Sequence, residues 1–300
     1  MRVACNLITF EFSGLSTVQS LEHLHEIGIK YVDMTSYGIQ QAANLPVQRQ
    51  YEIARKLQQL DMELVTVINL PSANPGSNDP EERKAAIYEL QKATRFLQRL
   101  GGKMIMFCEA GGRPDYHKDI NPYEARENSK DTMKRFGEWA EKEGVNILLE
   151  FVPVGGNLST VEDVKAYIDA VQLPNLYVNI DMGHFCLQGI NPNRIYKLGD
   201  RVINCHASDN LAAEQKEQDL ILGTGDTDFK RFFEVLYDMD IEGNARKAGL
   251  PDSYCTIEVV EGEYMPNPDY LVNRSYQYLL ANFPFLRDPL VNNLTPVIKR

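Results

Sequence analysis

The chain has 300 residues and an ordinary apolar content of 43 %, enough for two small domains yet within the about 250 residues that a single α/β barrel uses. Its 31 Lys and Arg stand against 42 Asp and Glu, and the resulting formal charge of −11 repels phosphate backbones and argues against a nucleic-acid partner. Five widely spaced cysteines without a Cys-x-x-Cys pair do not make a disulfide framework. No run approaches the roughly 20 apolar residues of a membrane span, and the start, Met1 to Asn6, lacks a signal-peptide core, so a cytoplasmic protein with no membrane partner is expected.

Along the chain, short apolar runs alternate with longer amphipathic segments, the pattern of repeated βα units around a parallel sheet. Eight strand candidates occupy 2–9, 30–35, 63–69, 104–109, 146–151, 177–181, 202–206 and 253–260. Several are continuous apolar runs, as expected where both faces are buried. Phe10, Phe12 and Tyr37 follow the early strands; packing is the expected use of each, and stacking on a sugar the alternative.

Helix starts are marked by side-chain chemistry. Ser16-Thr17-Val18-Gln19 and Ser159-Thr160-Val161-Glu162 read as capping boxes that open the first and fifth helices. A polar residue followed by proline recurs at Asp79-Pro80, Asn121-Pro122, Asn191-Pro192 and Asn267-Pro268, where the missing proline N–H costs nothing at the first helical position. Ile87, Leu90, Ala93, Thr94 and Leu97 recur at helical spacing, as do Val161, Val164 and Ile168.

The two longest connections, about 111–121 and 207–226, each follow a candidate strand, which in a barrel puts them at the catalytic face. Gly223-Thr224-Gly225-Asp226 reads as a turn leading into a helix near Asp228. The tail from Phe283 to Arg300 carries Pro284, Pro289 and Pro296, and is expected to pack irregularly on the barrel or on a neighbouring subunit of a homo-oligomer. With no linker or repeat, residues 1–300 form one expected domain. A closed (β/α)8 barrel and an open doubly wound sheet share this alternation. No Gly-x-Gly-x-x-Gly follows the first strand, so nothing favours a dinucleotide-binding sheet.

Four strand candidates carry a potential metal ligand near their C-terminal ends: Glu150, Asp181, His206 and Glu258. In a barrel those ends converge on one mouth. Three carboxylates and one imidazole suit one divalent cation, Mn²⁺ foremost, with Mg²⁺ or Co²⁺ as alternatives. Charged groups set in apolar strands also need a partner, because an unpaired buried carboxylate is costly. In Asp181-Met182-Gly183-His184 the glycine is expected to permit a tight turn that brings His184 to the same mouth.

The order Leu-Leu-Glu150, Asn-Ile-Asp181-Met-Gly-His184, Asn-Cys-His206-Ala-Ser-Asp209 and Thr-Ile-Glu258 resembles the xylose-isomerase-like superfamily, in particular the sugar isomerase and epimerase branch with ketose 3-epimerases, hydroxypyruvate isomerase and inosose dehydratase. The resemblance implies a TIM barrel with one metal held by Glu150, Asp181, His206 and Glu258. It also implies that His184 touches substrate hydroxyls, and that Glu150 and Glu258 flank the substrate as a proton-transfer pair. Two departures fall on substrate contacts: Gly156 stands where ketose 3-epimerases usually carry a second glutamate, and Ala212 where they place an arginine. The DNA-repair endonucleases of the superfamily need a histidine-rich three-zinc cluster, which five histidines, His23 and His25 among them in the first helix, do not supply.

The chemistry implied is proton abstraction next to a carbonyl of a sugar or keto-sugar through an enediolate, giving epimerisation or isomerisation. Loss of a β-leaving group from a keto-sugar or inosose, as in a metal-dependent lyase or dehydratase, is the second reading. A non-catalytic carbohydrate-binding barrel is the third.

Overall fold

The computed structural model describes residues 1–36, 42–108, 120–150, 157–212, 214, 217–260 and 267–286. Strands β1 (Arg2–Asn6), β2 (Tyr31–Thr35), β3 (Glu63–Asn69), β4 (Met104–Cys108), β5 (Asn146–Glu150), β6 (Leu176–Asp181), β7 (Val202–Ala207) and β8 (Tyr254–Ile257) pair in parallel in chain order. β8 pairs back onto β1, from Arg2 opposite Tyr254 to Cys5 opposite Ile257, so the sheet closes. The closed barrel is thereby distinguished from the open sheet with which it shares its sequence pattern.

Both faces of the strands are buried, and alternate residues divide between two apolar clusters. In β4, Ile105 and Phe107 face the helices, while Met104, Met106 and Cys108 join Ala4, Ile68 and Leu148 in the smaller cluster inside the barrel. At Asn6 the first strand stops earlier than its apolar pattern predicts. The Asn6 side-chain oxygen accepts from the Ile8 N–H at 3.0 Å, which turns the chain into a short helix, α1 (Ile8–Phe12). Phe10 is thereby fully buried, and Phe12 is partly exposed. Tyr37, Glu109 and Phe151 lie outside the described residues.

The outer helices are α2 (Thr17–Ile27), α3 (Val47–Gln59), α4 (Pro80–Arg99), α5 (Pro122–Lys142), α6 (Val161–Val171), α7 (Met182–Leu187), α8 (Phe229–Asp238), α9 (Ile241–Lys247) and α10 (Pro268–Asn282). Ser16 and Gln19 form the predicted capping box of α2. Asp79, Asn121 and Asn267 cap α4, α5 and α10 with their side chains, each followed by proline. Two starts differ from expectation. The cap of α6 is Thr160, which accepts from Asp163 N–H at 3.1 Å, one residue later than predicted, because Thr160 is still extended and buried Val161 opens the first turn. Asn191-Pro192 opens a stretch of 3₁₀ turns over Pro192–Arg201, interrupted at Gly199, whose φ of 57° no α-helix accommodates. Beyond α10, Pro284–Leu286 forms one 3₁₀ turn with Leu286 buried, and the rest of the predicted tail lies outside the described residues.

Glu11 on α1 is a buried acid with no ion-pair partner among the described residues. It accepts from Thr35 at 3.1 Å and from Thr17 at 3.5 Å, yet burial pushes its pKa up to about 7. A raised native value means that the unfolded chain releases this proton first. Stability contributed by the neutral acid is therefore complete below about pH 4.5 and is lost as pH rises through about 7. Glu11→Gln is expected to exceed the parent protein in stability by on the order of 3 kcal/mol at pH 8 and to match it near pH 4.5. Urea midpoints at the two pH values check this; equal midpoints at both would remove the charge cost assigned to Glu11.

Candidate metal centre

The closed barrel brings four strand ends to one mouth. Glu150 ends β5, Asp181 ends β6, His206 is the penultimate residue of β7, and Glu258 follows β8, its N–H bonded to Ala207 O at 3.0 Å. Asp181 lies opposite His206 in the register of β6 and β7. That pairing depends on a bulge: Val178 faces Val202 but Asn179 faces Asn204, and the extra residue in β7 sets His206 level with the carboxylates.

His206 is wholly buried, Glu150 and Asp181 nearly so, and the Glu258 side chain keeps 18 % of its surface exposed. Nδ1 of His206 lies 2.7 Å from Glu258 Oε2, 3.3 Å from Glu150 Oε1 and 3.8 Å from Asp181 Oδ2. Close as these approaches are, none has the direction of a hydrogen bond, and both buried ring nitrogens are left without one. A buried ring nitrogen facing three carboxylates offers the kinds of donor atom that a divalent cation takes. Glu150, Asp181 and His206 each offer one ligand atom within 4.8 Å of the others, the one such group of three among the described residues. Glu258 stands outside that triad but reaches the same nitrogen.

Neighbouring side chains orient the three carboxylates. Asp181 Oδ1 accepts from Ser208 Oγ at 2.7 Å and from the His184 N–H at 2.9 Å, which leaves Oδ2 toward His206. Glu258 Oε1 accepts from Asn6 Nδ2 at 2.9 Å, which leaves Oε2 toward the same ring. Asn204 donates to Asn179, and Asn179 to Glu150 Oε1, at 2.9 and 2.6 Å. On the far side of the imidazole, Nε2 lies 3.3 Å from Asp33 Oδ2, an oxygen held by Thr256 Oγ1 at 2.8 Å. A carboxylate behind a metal-binding imidazole fixes its orientation and raises its basicity. Sequence reasoning gives no role to Asn6 or Asp33, and Asn179, Asn204 and Ser208 enter it only as neighbours within the quoted motifs. Period two was the available signal: Asn179, Asn204 and Thr256 each stand two residues before a ligand candidate, on the same face of the strand.

Electrostatics follow from this crowding. Burial pushes the Glu150 carboxyl up to about 7, against the pull of His206 and His184. Burial disfavours the charge on His206, but Glu258 and Glu150 outweigh it and hold the imidazole well above its ordinary value. Cys108, with Sγ 3.4 Å from Glu150 Oε2, is raised well above the usual thiol range by burial and then by that carboxylate. It remains a thiol that packs, not a nucleophile.

Asp181 also caps α7, so Asp-Met-Gly-His runs straight from strand into helix. Gly183 serves close packing here: a Cβ at this position would meet Ser208 Oγ at 2.1 Å and Asn210 Nδ2 at 2.4 Å. His184 is buried beside the mouth, with Nε2 2.5 Å from Glu217 Oε1. Burial works against its charge, while Asp181 and Glu217 raise its pKa well above the ordinary value. Elsewhere, His23 Nδ1 pairs with Asp269 at 2.9 Å on the outer ring. Gly156 lies outside the described residues, and Ala212 is exposed on the connection after β7.

The sequence pattern of the xylose isomerase-like TIM barrel family matches residues 21–246. An L-ribulose 3-epimerase of Methylomonas sp. (strain DH-1) is 29 % identical over 160 residues, 51 % of this chain and 52 % of that protein; the chain thus spans about half the length of this curated relative. A D-psicose 3-epimerase from Clostridium cellulolyticum H10, solved with D-tagatose, superposes with a TM-score of 0.76 at 19 % identity, covering 95 % of this chain and 99 % of the other. The IolI protein, solved with a zinc atom, superposes with a TM-score of 0.75 at 17 % identity, covering 96 % and 100 %. At these identities the two solved structures share the fold.

Proposed function

The chain belongs to the xylose isomerase-like TIM barrel family, and on that premise we propose that it is a sugar epimerase or isomerase that depends on one divalent cation and works through an enediolate. The observation that carries this reading is the His206 nitrogen, buried, without a hydrogen bond and facing Glu150, Asp181 and Glu258. Those four residues would hold the ion. Oxygen donors with one imidazole favour Mn²⁺, Mg²⁺ or Co²⁺ over a thiolate-seeking metal. When bound, such an ion supplies Lewis acidity to a carbonyl and its neighbouring hydroxyl.

The chain's own residues do the rest. Glu150 and Glu258 flank the mouth from β5 and from the end of β8, so one removes the proton next to the carbonyl and the other returns it on the opposite face. Asn179 and Asn6 hold one oxygen of each, so neither carboxylate is free to rotate. His184, whose backbone N–H bonds Asp181 and whose ring pairs with Glu217, would contact a substrate hydroxyl. The curated relative, an L-ribulose 3-epimerase, supports a ketose as substrate.

The test is proton exchange in D₂O followed by NMR, with Mn²⁺-loaded protein and L-ribulose, D-tagatose and D-allulose. Deuterium is expected at the carbon next to the carbonyl, together with the epimeric ketose. A dehydrated product would transfer the same site to elimination, and a metal-loaded protein that exchanges no proton would overturn the enediolate reading.

A further inference from the structure

Between α8 and the C-terminal end of α10 the outer ring opens into an aromatic groove of about 670 Å³. Phe229, Phe233 and Tyr237, four residues apart, line it from one face of α8, while Tyr278, Phe283 and Phe285 line it from α10 and the turn that follows. The rings pack on one another: Phe233 lies 4.6 Å from Phe283, Tyr237 lies 4.7 Å from Phe285, and Phe229 lies 5.8 Å from Tyr278. Phe285 nevertheless keeps 47 % of its surface exposed, and Asp228, Lys230 and Glu234 give the groove a charged rim. Apolar surface left open inside a polar rim is the mark of a docking site.

The occupant is indicated by where the described chain ends. Pro284–Leu286 is a single 3₁₀ turn at the edge of the groove, Leu286 is buried, and residues 287–300 follow it in the sequence. From Tyr237 back to Asp228 the face of α8 is about 14 Å long. An extended chain covers that length in about four residues. Counted from Leu286, the fourth residue is Leu290 and the fifth Val291, the first apolar pair beyond the turn. Pro289 stands just before them; with its φ fixed and no N–H to satisfy, it can lie on aromatic rings without leaving a donor unpaired. The volume spread over that length gives a channel about 7 Å across, the width of one extended chain. A second barrel would need far more, since a stable dimer buries about 800 Å² on each partner.

We propose that the segment beginning at Arg287 docks extended along α8 in this groove, with Leu290 and Val291 seated among its rings. The far end of the groove gives the contact a purpose. Thr227 and Asp228 close the connection between β7 and α8, and that connection is folded around one fully buried carboxylate: Asp209 accepts at Oδ2 from the N–H groups of Gly223 and Gly225 at 2.8 and 2.9 Å, and at Oδ1 from that of Thr227 at 3.1 Å. Tyr278 packs on the same connection so closely that a Cβ at Gly223 would meet its ring at 2.3 Å. A segment pressed against Tyr278 and Thr227 therefore braces, from outside the barrel, the connection that carries Glu217, the partner of His184. The brace does not depend on which reaction the mouth performs.

The experiment compares the full chain with Phe285→Ser on the groove side, with Leu290→Asp plus Val291→Asp on the segment side, and with all three changes together. Binding of the apolar dye anilinonaphthalene sulfonate, amide hydrogen exchange and molar mass by light scattering are read on each. The segment variant is expected to bind about threefold more dye than the parent and to exchange amides of the β7–α8 connection about tenfold faster, because an uncovered connection opens more often. Phe285→Ser should do the same, and the combined variant should go no further than the stronger of the two, as expected for partners in one contact. Dye binding and exchange unchanged in the segment variant, or effects of the two sides that simply add, would overturn the docking. So would a parent dimer that Phe285→Ser dissociates and the segment variant leaves intact, since the groove would then belong to a second copy of the chain.

Discussion

In Mn²⁺-loaded protein, Glu258→Gln is expected to lower interconversion of two epimeric ketoses by about 10²- to 10⁴-fold, the usual worth of a positioned general base. The glutamine keeps an oxygen for Asn6, and the triad of Glu150, Asp181 and His206 is untouched, so the metal is expected to remain. Glu258 is the more accessible of the two glutamates, which makes it the cleaner one to remove. Each carboxylate serves one face of the enediolate, so the variant should still exchange the proton of one epimer while failing to produce the other. Glu150→Gln removes a member of that triad and needs more Mn²⁺ to fill the site, but once saturated it should show the mirror pattern, exchanging the opposite epimer. Exchange rates from each epimer, read by NMR at saturating Mn²⁺, decide this. Interconversion within tenfold of the parent in both variants would sink the two-base scheme.

A second large effect is expected at the imidazole. His206→Ala removes the set's nitrogen donor and should abolish tight Mn²⁺ binding in a calorimetric titration of chelator-treated protein. Asp33→Asn touches no ligand atom, yet it should weaken Mn²⁺ by about 10- to 100-fold, because the neutral amide no longer raises the basicity of the ring that it backs. Thr256 Oγ1 still finds an oxygen at that position, so this contact inside the barrel is preserved. Parent-like affinity in both variants would dissolve the proposed centre.

Much of this arrangement could be read from the residues alone, for a physical reason. A charged group that ends an apolar strand is conspicuous, and four at similar positions point to Glu150, Asp181, His206 and Glu258 from the residues alone. Proline after a polar cap was equally legible at Asp79, Asn121 and Asn267, because capping is local chemistry. Contacts that depend on register were not. Asp33 meets His206 only because the barrel closes β8 onto β1 and bulges shift β3 against β2 and β7 against β6. Asn6 looked like the middle of a strand and proved to be its end, since a single Asx contact overrode the apolar run. Glu217 lies in a segment without periodicity, shaped by the carboxylate of Asp209, and no pattern of spacing announces a loop folded around one buried side chain.

The interior of the barrel is unequal on its two sides. Ligand candidates and the Asn204–Asn179–Glu150 chain belong to β5 through β8, with support from Asn6 and Asp33, whereas β3 and β4 turn Ile68, Met104, Met106 and Cys108 inward. For protein engineering this is a partition between catalyst and mould. Grafting new connections after β3 and β4 would vary which sugar is admitted while every proton-handling atom keeps its place. Equal liberties taken after β7 would loosen the clasp around Asp209 and disturb recognition and reaction together.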